Sequence, residues 1–180
     1  MILPLFRRHG RADTIAALYG TIVAQARSPA FYRDFAAADT VNGRLELIIL
    51  HLALVLRRLF ADPALKDTGQ GLFDHFCADM DGSLREMGIG DLAVPKHMRR
   101  VADAYYGRAK AYDAALAAAD AEPLAQALAR NVFETKAVEP AARRLAGYVR
   151  AAAEGINAAD PHELAAGKVN FPDPAAFATQ

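Results

Sequence analysis

The sequence predicts an all-α protein: a single-domain bundle of six to seven helices with an extended C-terminal arm. Three observations carry that expectation. The apolar residues, 53% of the chain, are dominated by Ala and Leu, which lose little on entering a helix, whereas clusters of Val, Ile, Thr and aromatics are scarce. Ser, Thr, Asp and Pro recur where helices should start, and Gly stands where one should end. Between these marks the apolar residues repeat at the period of one helix face. At 180 residues the chain has the length of one domain and enough material for a sizeable core.

Residues 1 to about 12 read as an N-terminal tail, followed by a helical domain over 13–156 and an arm over 157–180. Asp13 or Thr14 caps a first helix to about Arg27, with Ile15, Leu18 and Ile22 on one side. Ser28-Pro29 opens a short helix over 30–36 that carries Phe31, Tyr32 and Phe35. Asp39-Thr40 caps a long helix to about Phe60, where Asp62-Pro63 breaks it. The next helix starts near 67–71 and runs to Met87, with Gly88 as its terminator. Pro95 opens a helix to about Ala119, Pro123 one to about Lys136, and Pro140 one to about Gly155. Beyond Asn157 the composition shifts to Pro, Asp, Asn and Gly, with one helical turn over 162–166.

The helix over 43–60 is apolar almost all round, so neighbours should bury it. Arg44, His51 and Arg58, seven apart, form one polar row along it. That row either reaches solvent and neighbouring acids or makes a basic groove for an acidic partner segment. Asp79-Met80-Asp81-Gly82 looks like the opening of a calcium loop, but the glutamate that would end the loop is out of register. On a helix the two aspartates project about 160° apart and cannot share an ion. Asp81 and Arg85 instead have the order and spacing of a helix-surface ion pair. After Pro95, Tyr105 and Tyr112 belong to a core face while Tyr106 projects beside Arg99 and Lys110. Gly107 inside that helix points to a close approach, by a partner or by a crossing helix.

Composition excludes several function classes. Lys plus Arg and Asp plus Glu are each 21, so no global field draws the chain to nucleic acid or an anionic membrane, although local basic stripes can do so. The lone Cys77 rules out an internal disulfide and a cysteine zinc site, and suits a reducing compartment. The five histidines are scattered without ligand spacing, and no phosphate loop or nucleophile elbow is present. The N-terminus is not a secretory signal, and the most apolar run, ten residues over 47–56, is too short to cross a bilayer. The expectation is a protein that grips rather than reacts, with no metal and no cofactor.

Four stretches in order resemble the ubiquinol–cytochrome c reductase (complex III) chaperone family of mitochondria and alphaproteobacteria. They are YGTIVAQARSPAFY from Tyr19, DTVNGRLELIILHLALVLRRL from Asp39, FDHFCADMDGSLREMGIGD from Phe73 and VPKHMRRVADAYYGRAKAYD from Val94. The resemblance spans about 14–140 and fades beyond, so it assigns the C-terminal arm no role. It implies an all-helical, non-enzymatic assembly factor that binds newly made cytochrome b and supports its incorporation into the cytochrome bc1 complex. Mitochondrial members also work with a small partner protein and with ribosomes. The lack of a presequence suits a bacterial-type member, placed in the cytoplasm at the inner-membrane face. Partner-binding candidates are Phe31, Tyr32, Arg44, Asp79, Asp81, Arg85, Glu86, Tyr106, Arg108 and Lys110. Two other classes compete. One is a helical carrier of haem, quinone or lipid, with His51, Tyr105 or Tyr112 lining its cavity. The other is a metal-dependent enzyme using Asp79 and Asp81.

Overall fold

A computed structural model describes residues 3–178, with side chains described from Gly10 onward. Its described residues form helices joined by turns, with no strand. The helices are α1 (Leu3–Ala26), α2 (Pro29–Arg33), α3 (Val41–Ala61), α4 (Lys66–Glu86), α5 (Val94–Ala117), α6 (Glu122–Asn131) and α7 (Pro140–Ala158). A short tail follows, with one turn of helix, α8 (Pro161–Ala165), and a 3₁₀ turn, Pro174–Phe177. The all-α single-domain bundle predicted from the sequence is the architecture found.

Local chemistry explains most boundaries. Thr40 caps α3, its hydroxyl accepting from the Gly43 N–H at 3.1 Å. Gly88 ends α4 at φ +81°, a left-handed turn that lets the Ile89 N–H donate to the Leu84 carbonyl at 3.1 Å. Two helices stop earlier than their apolar patterns suggest. Ala36 and Glu134 adopt φ of +57° and +52°, which no α-helix can contain, so α2 ends at Arg33 and α6 at Asn131. The start of α1 departs most. Residues 3–12 of the expected tail are helical, and only Met1 and Ile2 of it lie outside the described residues. Thr14 does not cap; its hydroxyl bonds back to the Gly10 carbonyl at 2.8 Å, an arrangement that leaves the helix running through.

Helix α3 is the core element. Every residue from Glu46 to Leu56 is buried, and α1, α4, α5 and α7 pack around it. Tyr19 meets Asp79 and Arg11 meets Asp67, so α1 and α4 run parallel. The turns after α3 and α4 make each of those helices antiparallel to the next. The C-terminal ends of α1 and α4 therefore gather with the N-terminal ends of α3 and α5 at one end of the bundle. Leu164, Val169 and Pro174 of the tail are buried, so the expected C-terminal arm packs onto the bundle. No helix among the described residues is long and apolar enough to cross a membrane.

Candidate functional site

The end of the bundle where these four helix termini meet is not closed over. A groove of about 420 Å³ opens there, floored by Leu45 and Ile48 of α3, Met80 and Leu84 of α4, and Val101 of α5. Each of these belongs to an apolar stripe that its helix turns inward, but at the end of the bundle no further element among the described residues covers the stripes. Val41 and Met87 stand at the rim, 71% and 56% exposed, with Arg27, Arg44 and Glu86 around them. Two of the floor and rim residues are methionines, whose unbranched side chains adapt to varied apolar partners. A second cleft of about 690 Å³ adjoins it and shares Arg27 and Arg44, with Tyr32, Arg33 and Asp39 as its other polar lining. Asp39 holds Arg44 at 2.7 Å, and that guanidinium draws the carboxyl below its usual range. Asp34 is held at 2.7 Å by Arg33 in the same way.

The ten candidate residues divide by location. Arg44 and Glu86 line the apolar groove, and Tyr32 lines the adjoining cleft while its hydroxyl donates to the Ala26 carbonyl at 3.1 Å. Asp81 and Arg85 form the expected ion pair at 2.6 Å, and Arg85 also engages Asp91 in the following turn. Asp79 accepts from Tyr19 Oη at 2.7 Å, and burial together with that bond raises the phenol's pKa. The two carboxylates thus serve different helices, an arrangement that denies a shared metal ion. Tyr106 is 61% exposed and packs edgewise on Tyr105 at 5.3 Å and against Phe73 at 5.7 Å. With exposed Lys110 it stands on the outer face of α5, about one and a half and two and a half turns beyond the groove residue Val101. Among the described residues nothing lies within 4 Å of where a Gly107 side chain would start, so none of their helices crosses closely at that glycine.

Phe31 and Arg108 are placed differently from the expectation of exposed contacts. Phe31 is fully buried, stacked between Phe35, His51 and Tyr148. Arg108 turns inward to make a two-pronged ion pair with Glu46, which is 3% exposed. Sequence periodicity put Glu46 in no role, and only the approach of α5 to α3 accounts for it. A carboxylate on the helix read as most apolar was the available signal, since a buried charge requires a partner.

The polar row on α3 also resolves. Arg44 and Arg58 pair with Asp39 and Asp62, but His51 is completely enclosed. Its Nδ1–H donates to the Leu47 carbonyl at 2.7 Å, so Nε2 accepts from Tyr148 Oη at 2.8 Å. Gln25 in turn donates to Tyr148 Oη at 2.9 Å and to the Pro172 carbonyl at 3.1 Å. Burial pushes the imidazole pKa down to about 4, leaving it neutral. The row is therefore no continuous basic groove. None of His51, Tyr105 and Tyr112 lines either cleft described above or a third of about 370 Å³ beside Asn42 and Glu134, so the geometry expected of a carrier is not found there.

The family model described as ubiquinol–cytochrome c chaperone matches residues 33–171. A solved structure described as the crystal structure of the Cbp3 homolog from Brucella abortus is similar at 41% identity, with a TM-score of 0.86 over 97% of this chain and 98% of that one. No curated protein matches. The family match extends through the tail to residue 171, well past the point near 140 beyond which the resemblance fades. It begins after the motif at Tyr19–Tyr32, which only the structural match includes.

Proposed function

The chain belongs to the ubiquinol–cytochrome c chaperone family, and from that premise we propose that it binds newly made cytochrome b and promotes assembly of the cytochrome bc1 complex. The observation that carries this reading is the open apolar groove at the shared end of α1, α3, α4 and α5. A nascent membrane helix presents apolar side chains that must be kept from water and from one another. A groove of this size, lined by aliphatic and methionine side chains, takes one face of such a helix. Glu86, Arg27 and Arg44 at the rim give polar partners to the residues flanking it. The work is holding and releasing; no step requires a bond to be made or broken, so the protein acts as a non-enzyme at the inner-membrane face, where its client is inserted.

In cells that depend on the bc1 complex, deleting the gene lowers cytochrome b and bc1 activity, and the wild-type gene restores both. Val41→Asp with Met87→Asp places charges at the groove mouth without touching the core. Loss of two apolar contacts of about 1.5 kcal/mol each weakens client capture by at least tenfold, so this variant fails to restore cytochrome b while its purified form keeps wild-type helicity and melting temperature. Unchanged cytochrome b in the deletion strain would overturn the function. Full rescue by the double variant would remove the groove from it.

A further inference from the structure

The outer face of α5 carries a pattern that the groove does not use. Arg99, Asp103, Tyr106, Lys110, Asp113 and Ala117 follow one another at alternate spacings of four and three, and all are exposed. On a helix that spacing draws one seam. Tyr106 stands at its middle, held from behind by Phe73 at 5.7 Å and Tyr105 at 5.3 Å. Among the described residues Arg99, Asp103 and Lys110 form no ion pair, although Arg99 and Asp103 are four apart, a spacing at which a helix allows one. Arg57 of α3 holds Asp113 Oδ1 at 3.1 Å and leaves that side chain 56% exposed. Val101, on the groove floor, projects about 140° round the helix from Tyr106, so the seam and the groove are separate surfaces.

The charges of the seam change sign about its centre. Asp103 and Lys110 lie three residues before and four after Tyr106, and Arg99 and Asp113 lie seven to either side. A surface that meets its own copy across a twofold axis needs this order, because residue i then contacts j and j contacts i. We infer that α5 pairs antiparallel with α5 of a second copy of this chain, about a twofold axis beside Tyr106. Asp103 then faces the partner's Lys110, and Arg99 faces the partner's Asp113, each contact made twice. Each Tyr106 enters the hole bounded by the partner's Asp103, the partner's Tyr106, the partner's Gly107 and the partner's Lys110, the four-residue geometry in which helix side chains interlock. Gly107 leaves that hole open, and no neighbour within 4 Å among the described residues requires a glycine there. Charge selects a second copy as the occupant, since a helix of one sign would meet its own sign along half of the seam. From Arg99 to Ala117 the seam is about 27 Å long and mainly polar, which suits a small, reversible interface.

The test is analytical ultracentrifugation of the full chain from about 1 to 200 µM, the range in which small interfaces dissociate. The average mass rises with concentration from that of one chain toward that of two. Asp103→Lys and Lys110→Asp, each alone, set like charges against each other twice and raise the dissociation constant about tenfold or more. Both positions are exposed, so helicity and melting temperature stay those of the wild type. Mixed in equal amounts, the two single variants associate with each other, because each supplies the charge that the other lacks. The double variant, Asp103→Lys with Lys110→Asp, regains self-association. A wild-type mass that stays at one chain overturns the inference, as do single variants that associate like the wild type or a mixture that remains monomeric. So does a monomeric wild type whose Lys110→Asp variant lowers cytochrome b in cells, because the seam then serves another partner. No client is present in the centrifuge, so a negative result there leaves the assembly function standing.

Discussion

His51 shows how one buried side chain makes stability depend on pH. Enclosed by Phe31, Tyr148 and Phe171 with ring centroids 5.3, 5.7 and 5.2 Å away, it is held neutral, with its pKa near 4. In the unfolded chain a histidine titrates near 6.5. Between these values the unfolded state binds the extra proton, so stability is complete above pH 6.5 and falls as pH drops toward 4. From pH 7 to 4.5 the loss due to this residue is about 2.5 kcal/mol. His51→Gln offers the same neighbours an amide that does not titrate. Urea unfolding of the two proteins at pH 7 and 4.5 should show a markedly smaller loss in the variant; equal losses would mean the imidazole is not the group responsible. Arg108 and Glu46 behave differently, because removing one member strands the other's charge in the core. A substitution at Arg108 therefore reads out folding before it reads out any partner.

At the scale of elements, α5 carries two faces whose constraints differ. Tyr105, Tyr112 and Ala115 are buried against the core, while Tyr106, Gly107 and Lys110 face outward. A glycine within a helix is less favourable than alanine by about 1 kcal/mol, and here no neighbour among the described residues forbids a methyl group. Gly107→Ala is expected to raise stability by about 0.5–1 kcal/mol, or about 1–4 °C in melting temperature for a chain of this size. A fall in melting temperature would show that the helix bends or packs in a way its glycine permits. If the stabilised variant also loses assembly activity in cells, the bare backbone at Gly107 lies under a partner. Helix α4 is built on the same division: Leu72 and Phe76 bury, Asp81 and Arg85 pair on the surface, and Met80 and Met87 are left to the groove.

For the whole molecule, the tail closes the core. Phe171 covers His51, Phe177 stands against Tyr148 at 5.8 Å, and the Pro172 carbonyl accepts from Gln25 of α1. Leu164 and Val169 add two buried aliphatic side chains. Ending the chain after Asp160 uncovers these residues, and the loss of Leu164 and Val169 alone costs about 3 kcal/mol or more. The truncated protein should melt well below the full chain and expose the His51–Tyr148 pair to solvent, as a rise of the His51 pKa toward 6.5 would report. An unchanged melting temperature would mean that the tail lies on the bundle without stabilising it.

Periodicity and punctuation were sufficient for what depends on neighbours along the chain. The helix count, the buried α3, the Thr40 cap, the Gly88 stop and the Asp81–Arg85 pair follow from spacings of three or four residues, which a helix converts directly into faces. Packing between distant segments decided the rest. Glu46 meets Arg108 across 62 residues, His51 is sealed by Tyr148 and Phe171 from far downstream, and Phe31 is buried by residues its own helix never sees. The groove is the sharpest case. Leu45, Ile48, Met80, Leu84 and Val101 carry the same apolar signature as the core, and sequence cannot say which ends of inward-facing stripes will find a cover. Whether a stripe is core or binding surface depends on what stands opposite it, which only the three-dimensional arrangement of the helices determines.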